Sequence, residues 1–160
     1  NPDEIFETHG ADALRLYVMF MGPLQMDKDW STTMLDGAKR FLDRVWRMHE
    51  FITHEHNQGL DFVLNQTILK VEQGYETISF NTAISQMMIF LNATKDQAII
   101  PKAYAKGLIQ LLAPLAPHIS EEIWQKLGHQ DSISHVAWPS YEEALTIEDQ
   151  VEVVVQINGK

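Results

Sequence analysis

Cysteine is absent from the 160 residues, which removes disulfides, thiolate metal sites and a cysteine nucleophile together. Long apolar runs are missing too. No stretch approaches the ~18 residues a helix needs to cross a bilayer, so no membrane span is expected. No cationic, apolar leader with a small-residue cleavage site stands at the start, and the expected compartment is cytoplasmic. Neither a G-x-G-x-x-G run, a P-loop nor a G-x-S-x-G elbow occurs. Cations are scarce, 12 Lys and Arg against 22 acids for a net charge of −10, which counts against a free-standing nucleic-acid binder. The shortage is uneven. From Leu111 to Lys160 the only cations are Lys126 and Lys160, against eight acids. Arg15, the Lys39 to Arg47 cluster, Lys70, Lys95, Lys102 and Lys106 lie further forward. This distribution leaves room for one basic face on an acidic molecule.

What is present is amphipathic helix. At 45% hydrophobic and 21% charged the chain falls in the ordinary globular range. Asn1, Pro2 and Glu4 give a cap, a first-turn proline and a capping-box acid. Gly10 ends that short helix, Asp12 is placed to cap the next, and Gly22-Pro23 stops it. Ser31 or Thr32 caps a long helix read from Ser31 to His54. From Asp61, the positions Leu64, Ile68, Val71, Tyr75 and Ile78 recur at four and three. Gly74 interrupts that stripe at about 1 kcal/mol relative to Ala. Asn81 is the expected cap of a further helix burying Ile84, Met87, Met88 and Leu91. Pro101 opens another, with Tyr104, Leu108, Leu111 and Leu115 in register, and a last helix runs from Pro117 to about Leu127. Residues 130–146 carry no sustained period and read as an extended wrap. Val151 to Ile157 is β-branched and precedes Asn158-Gly159, the signal of a two-residue hairpin turn. The fold class expected is mainly α: an antiparallel helical bundle joined by short loops, followed by the wrap and a truncated C-terminal β-strand.

The long helix carries the candidate site. Leu35, Ala38, Phe41, Leu42, Val45, Met48 and Ile52 gather on one side, and Arg40, Arg44 and Arg47 form a stripe on the other. Guanidinium groups grip phosphate through two parallel hydrogen bonds. The same stripe has a second reading. Asp36 precedes Arg40 by four residues and Asp43 precedes Arg47 by four, the favourable order for intrahelical ion pairs. Spacing alone leaves both open.

Catalytic candidates are few. His49, His54 and His56 lack the spacing that aligns ligands on one helical face, and His118 reads as a packed or hydrogen-bonded residue. Glu121 and Glu122, adjacent on a helix, point about 100° apart and are read as favouring the helix dipole. Asp12 and Arg15, three apart, are expected to pair locally. Trp46 and Trp124 are assigned to packing.

NPDEIFETHGADALRLYVMFMGP, WSTTMLDGAKRFLDRVWRM, FNTAISQMMIFLN, LLAPLAPHISEEIWQKLG, WPSYEEAL and VEVVVQINGK stand in this order. They closely resemble the C-terminal part of bacterial leucyl-tRNA synthetases, over essentially the whole chain. The A-P-x-A-P-H-I-x-E-E-x-W pattern from Ala113 to Trp124 is shared by several class I synthetases. The combination with W-S, R-F-L-x-R-V-W-R and Q-I-N-G-K points to the leucine enzyme; the equivalent bundle of an isoleucyl- or valyl-tRNA synthetase, which resembles this region more loosely, is an alternative. The resemblance implies a short N-terminal connecting unit over 1–30, an anticodon-binding-type bundle over 31–128, the extended wrap over 129–148 and the start of a truncated C-terminal domain over 149–160. The bundle would hold tRNA(Leu), mainly by its backbone, beside the catalytic domain of the same parent chain. The parent would join leucine to tRNA(Leu) with ATP and Mg²⁺, and this stretch, with no catalytic, metal or cofactor residues of its own, would do none of that chemistry. Arg40, Arg44, Arg47 and Lys39 are the tRNA-binding residues expected. A helical protein-interaction scaffold with an acidic tail is the alternative from another class.

Overall fold

A hydroxyl starts the longest helix. The Ser31 Oγ accepts the Met34 backbone N–H at 3.3 Å, satisfying one of the donors a helix start leaves unpaired. The computed structural model describes residues 1–23, 26–53, 57–95 and 100–147. Among these, seven helices account for most of the chain. They are α1 (Pro2–Thr8), α2 (Ala11–Phe20), α3 (Thr32–Met48), α4 (Asp61–Glu76), α5 (Phe80–Ala93), α6 (Lys102–Leu112) and α7 (Pro117–Lys126). The strand expected at 151–157 lies outside the described residues.

The apolar stripe of α3 is buried throughout: Leu35, Ala38, Phe41, Leu42, Val45 and Met48 all face the core. The helix is shorter than its amphipathic period predicts. It stops at Met48, residues 49–51 tighten into a 3₁₀ turn, and Ile52–Thr53 becomes a short strand, β1. β1 runs parallel to β2 (Ile100–Pro101), with Ile52 opposite Ile100 and Thr53 opposite Pro101. Ile52 therefore belongs to a strand and not to the helical stripe. Two consecutive β-branched residues favour that geometry, and the His49 ring Nδ1–H, donating to the Trp46 carbonyl, serves one of the carbonyls a helix end strands.

Helices α4 and α5 form a hairpin whose closeness depends on Gly74. A Cβ at that position would stand 2.9 Å from the Ala83 Cβ and 3.3 Å from the Ser79 carbonyl, so no larger residue fits without movement. Two expectations fail here. Ile78, read as the last residue of the buried stripe, lies past the helix end with φ of 57° and an exposed side chain. Asn81, read as the cap, sits inside the first turn of α5, which begins at Phe80 after Ser79.

Helix α2 shares the core of the bundle. Ala13, Leu16 and Tyr17 of α2 are fully buried, and the Tyr17 hydroxyl accepts the Ser31 backbone N–H at 2.8 Å. Gly10, at φ +86°, turns the chain between α1 and α2. It also precedes α2 directly, so Asp12 is not the cap of its own helix.

Residues 129–147 wrap the bundle without a sheet or a long helix. Side-chain arms hold them instead. Gln110 Nε2 donates to the Ala137 carbonyl at 2.9 Å, Gln66 Nε2 to the Thr146 carbonyl at 2.8 Å, and Asn65 Oδ1 accepts the Glu142 N–H at 2.7 Å. Trp138 meets the Tyr75 ring edge-on at 5.5 Å. Glu121 also tethers the wrap. Its Oε2 accepts the Ile133 N–H at 3.0 Å, in place of the dipole role its position near a helix start suggests.

Candidate nucleic-acid interface

Helix α3 turns its basic side to solvent. Arg40 and Arg47 are exposed and Arg44 is half-buried. The intrahelical pairs that would neutralise them do not form, because both acids are engaged elsewhere. Asp36 Oδ1 meets the Nε2 of His9, the residue that ends α1, at 3.0 Å. Asp43 Oδ1 accepts from Lys39 Nζ at 3.1 Å, one turn back. Among the described residues no carboxylate lies within 4.0 Å of any of the three guanidinium groups. The self-paired reading of the stripe therefore fails for Arg40 and Arg47, and Asp43 pairs instead with Lys39.

The arginines differ in freedom. Arg44 is fixed by α5, its Nη2 donating to Asn92 Oδ1 at 2.8 Å and to the Leu91 carbonyl at 3.4 Å. Arg47 uses its Nε on the Asp43 carbonyl at 3.2 Å, which braces the side chain and keeps the two terminal nitrogens for a ligand. Where α3 and α5 end, a cleft of about 860 Å³ opens, with Arg44, Arg47, Phe51, Asn92 and Lys95 on its walls. Sequence reasoning misses Phe51, Asn92 and Lys95 as neighbours of the stripe. The amphipathic period puts Phe51 inside a longer helix, and the other two stand more than forty residues away.

The tryptophans belong to packing. Trp124 is 2% exposed, lies parallel to the His129 ring at 3.7 Å and donates its Nε1–H to the Asp131 carbonyl at 2.9 Å. Trp46 is half-buried, with the Lys126 Nζ 5.3 Å from its ring centre.

Asp12 and Arg15 do not pair with each other. Asp12 Oδ2 accepts the Ile119 N–H at 2.8 Å and Oδ1 meets the His118 Nδ1 at 2.7 Å. Arg15 donates from Nε to the Leu115 carbonyl at 3.1 Å and from Nη2 to the Pro114 carbonyl at 3.0 Å. One helix thus caps the start of α7 with its acid and the end of the preceding turn with its base, each charge opposite to the local backbone dipole.

Among the described residues the titratable groups do not converge on a reactive centre. Among the described residues no group of three or more His, Asp and Glu is placed to hold a metal ion; His54 and His56 lie outside those residues. Burial pushes the Tyr75 phenol up, and burial together with the Asp61 carboxylate does the same to Tyr104, so both are proton-bearing structural donors at neutral pH. His129 is pushed down, first by burial and then by the nearby Lys106 and Lys102.

The described residues thus form a mainly helical bundle that carries a guanidinium row no described carboxylate neutralises. Residues 60–160 match the family model of the anticodon-binding domain of tRNA ligase, and the chain belongs to that family. Among solved structures it is similar to the LeuRS of Agrobacterium radiobacter K84 in its ternary complex with tRNA and LeuAMS. The TM-score is 0.77 at 25% identity, over 92% of this chain and 22% of that one. The chain thus spans about a fifth of the length of this relative. The family match begins at residue 60, so the arginine row stands outside it.

Proposed function

We propose that this chain is the tRNA-holding bundle of a leucyl-tRNA synthetase, and that Arg40, Arg44 and Arg47 grip the sugar-phosphate backbone of tRNA(Leu). The observation that carries the reading is the unneutralised guanidinium row on α3, in a chain whose fold matches a LeuRS bound to tRNA. Phosphate contacts of this kind set register and orientation and carry no sequence information. Lys39, held by Asp43, takes a lesser part than the three arginines. The attachment of leucine, with ATP and Mg²⁺, belongs to the catalytic part of the parent enzyme, which works in the cytoplasm. No helix among the described residues is long and apolar enough to cross a membrane.

A binding module and a catalytic element separate in one experiment. In the parent enzyme, Arg40→Glu with Arg47→Glu should raise the KM for tRNA(Leu) by about tenfold or more. Leucine-dependent ATP–pyrophosphate exchange, which needs no tRNA, should stay as it is. An unchanged KM, or a fall in exchange as large as the fall in aminoacylation, would refute the proposal. The isolated chain should show no exchange above blank.

A further inference from the structure

The described histidines differ in what their ring nitrogens do. His9 has both engaged, Nδ1 with the Thr8 hydroxyl at 2.8 Å and Nε2 with Asp36 at 3.0 Å. His49 uses Nδ1 on the Trp46 carbonyl, and the Nε2 of His129 is buried. His135 is exposed and makes no hydrogen bond or ion pair among the described residues. His118 alone among them joins a carboxylate at one nitrogen to an open ring edge at the other. Its Nδ1 lies 2.7 Å from Asp12 Oδ1, while 75% of its side chain stays in solvent.

A carboxylate only accepts hydrogen bonds, so the His118 Nδ1 carries the proton and the neutral ring keeps its lone pair on Nε2. Asp12 is itself held, its Oδ2 accepting the Ile119 N–H at 2.8 Å, which fixes the ring from behind. An acid placed in this way selects the tautomer of an imidazole and makes the far nitrogen a better base and nucleophile. Capping α7 needs only the carboxylate and the backbone N–H, and gives no reason for an exposed imidazole. One turn along α2, Arg15 donates from Nε and Nη2 to the Leu115 and Pro114 carbonyls. Arg15 is exposed and its Nη1 has no partner among the described residues. A guanidinium edge is thus open, close in the chain to His118, for an anionic group.

We propose that His118 is a phosphoryl-accepting histidine, its Nε2 taking the group from a phosphoramidate-type donor and Arg15 attracting the anion. The Nε2 lone pair forms the new bond to phosphorus, the bond from phosphorus to the donor's ammonium nitrogen breaks, and ammonia leaves. Nδ1 keeps its proton on Asp12, which offsets the positive charge the ring acquires, and nothing is oxidised or reduced. The modification would bring a phosphoryl dianion to the seam between α2 and α7. It stands apart from the RNA reading, which uses α3.

The test treats this chain with phosphoramidate, reads the sites by mass spectrometry and assigns the modified nitrogen by phosphorus NMR. Wild-type His118 should react at Nε2 about tenfold faster than His135, an exposed histidine with no carboxylate partner among the described residues. In Asp12→Asn the one amide oxygen stays on the Ile119 N–H and the amide NH₂ faces the ring, which moves the ring proton to Nε2. His118 should then slow about tenfold, with His135 unchanged. Arg15→Gln should slow phosphoramidate at His118 several-fold and leave diethyl pyrocarbonate, an uncharged acyl reagent, as it was. Wild-type His118 reacting no faster than His135, or carrying the group on Nδ1, overturns the proposal without need of any variant. A folded Asp12→Asn chain that reacts like wild type overturns it too. Equal effects of Arg15→Gln on both reagents overturn the assignment to phosphoryl groups.

Discussion

The Asp12 carboxylate accepts the Ile119 backbone N–H at 2.8 Å, across 107 positions of sequence. A nearly buried acid on α2 thereby caps α7, and its second oxygen holds the His118 ring. Hydrogen bonds to a charged group contribute about 1.5–3 kcal/mol. Asp12→Ala should therefore cost about 2 kcal/mol in urea unfolding, and Asp12→Asn, which keeps one acceptor, clearly less. Loss of under about 0.5 kcal/mol in the alanine variant would show that α7 does not depend on this cap.

Two of the three glycines inside helices of the described residues, Gly74 and Gly37, predict opposite outcomes. At Gly74 a new Cβ meets the Ala83 Cβ at 2.9 Å, so Gly74→Ala should destabilise by about 1–3 kcal/mol despite its better helix propensity. At Gly37 the nearest neighbour is the tip of the Arg40 side chain, at 4.0 Å. Gly37→Ala should stabilise by about 0.5–1 kcal/mol. Paired thermal melts check both, and a stabilised Gly74→Ala would mean the α4–α5 hairpin is looser than its geometry.

His129 gives the fold a pH dependence of defined sign. Its ring lies on Trp124 with Lys106 and Lys102 near, and burial followed by those charges pushes its proton affinity below the ordinary histidine value of about 6.5. The folded state then binds fewer protons than the unfolded one just below that value, so stability is present above about pH 6.5 and is lost as pH falls. His129→Phe keeps an aromatic stack and removes the titration. Between about pH 7.5 and 5.5 its melting temperature should fall less than the wild type's; an equal or larger fall would assign the acid sensitivity to other groups.

What is legible in the sequence is what is local. Ser31 reads as a cap because its acceptor serves a donor three residues on, and the α3 core face follows from spacings of three and four. The stop at Met48 is not readable, because the partner that turns Ile52–Thr53 into a strand lies at Ile100–Pro101. Distance also misleads the charge reading. Asp36 and Asp43 stand at good ion-pairing offsets from Arg40 and Arg47, yet His9, at the end of α1, draws off one and Lys39 the other. The role of Asp12 is hidden for the same reason, its donors being on α7. The arginine row itself is visible in the sequence. The cleft beside it is not, since Lys95 and Asn92 join it only through the packing of α5 on α3.

The salt dependence of binding tests the row most directly. Fluorescent tRNA(Leu) is titrated with the chain from about 25 to 200 mM KCl, for the wild type and for Arg40→Gln with Arg47→Gln. Each phosphate contact adds roughly 0.7–0.9 to the slope of log affinity against log salt, so the double variant should flatten it by about 1.5 to 2 units. A slope equal to the wild type's would contradict the account and remove α3 from the RNA interface.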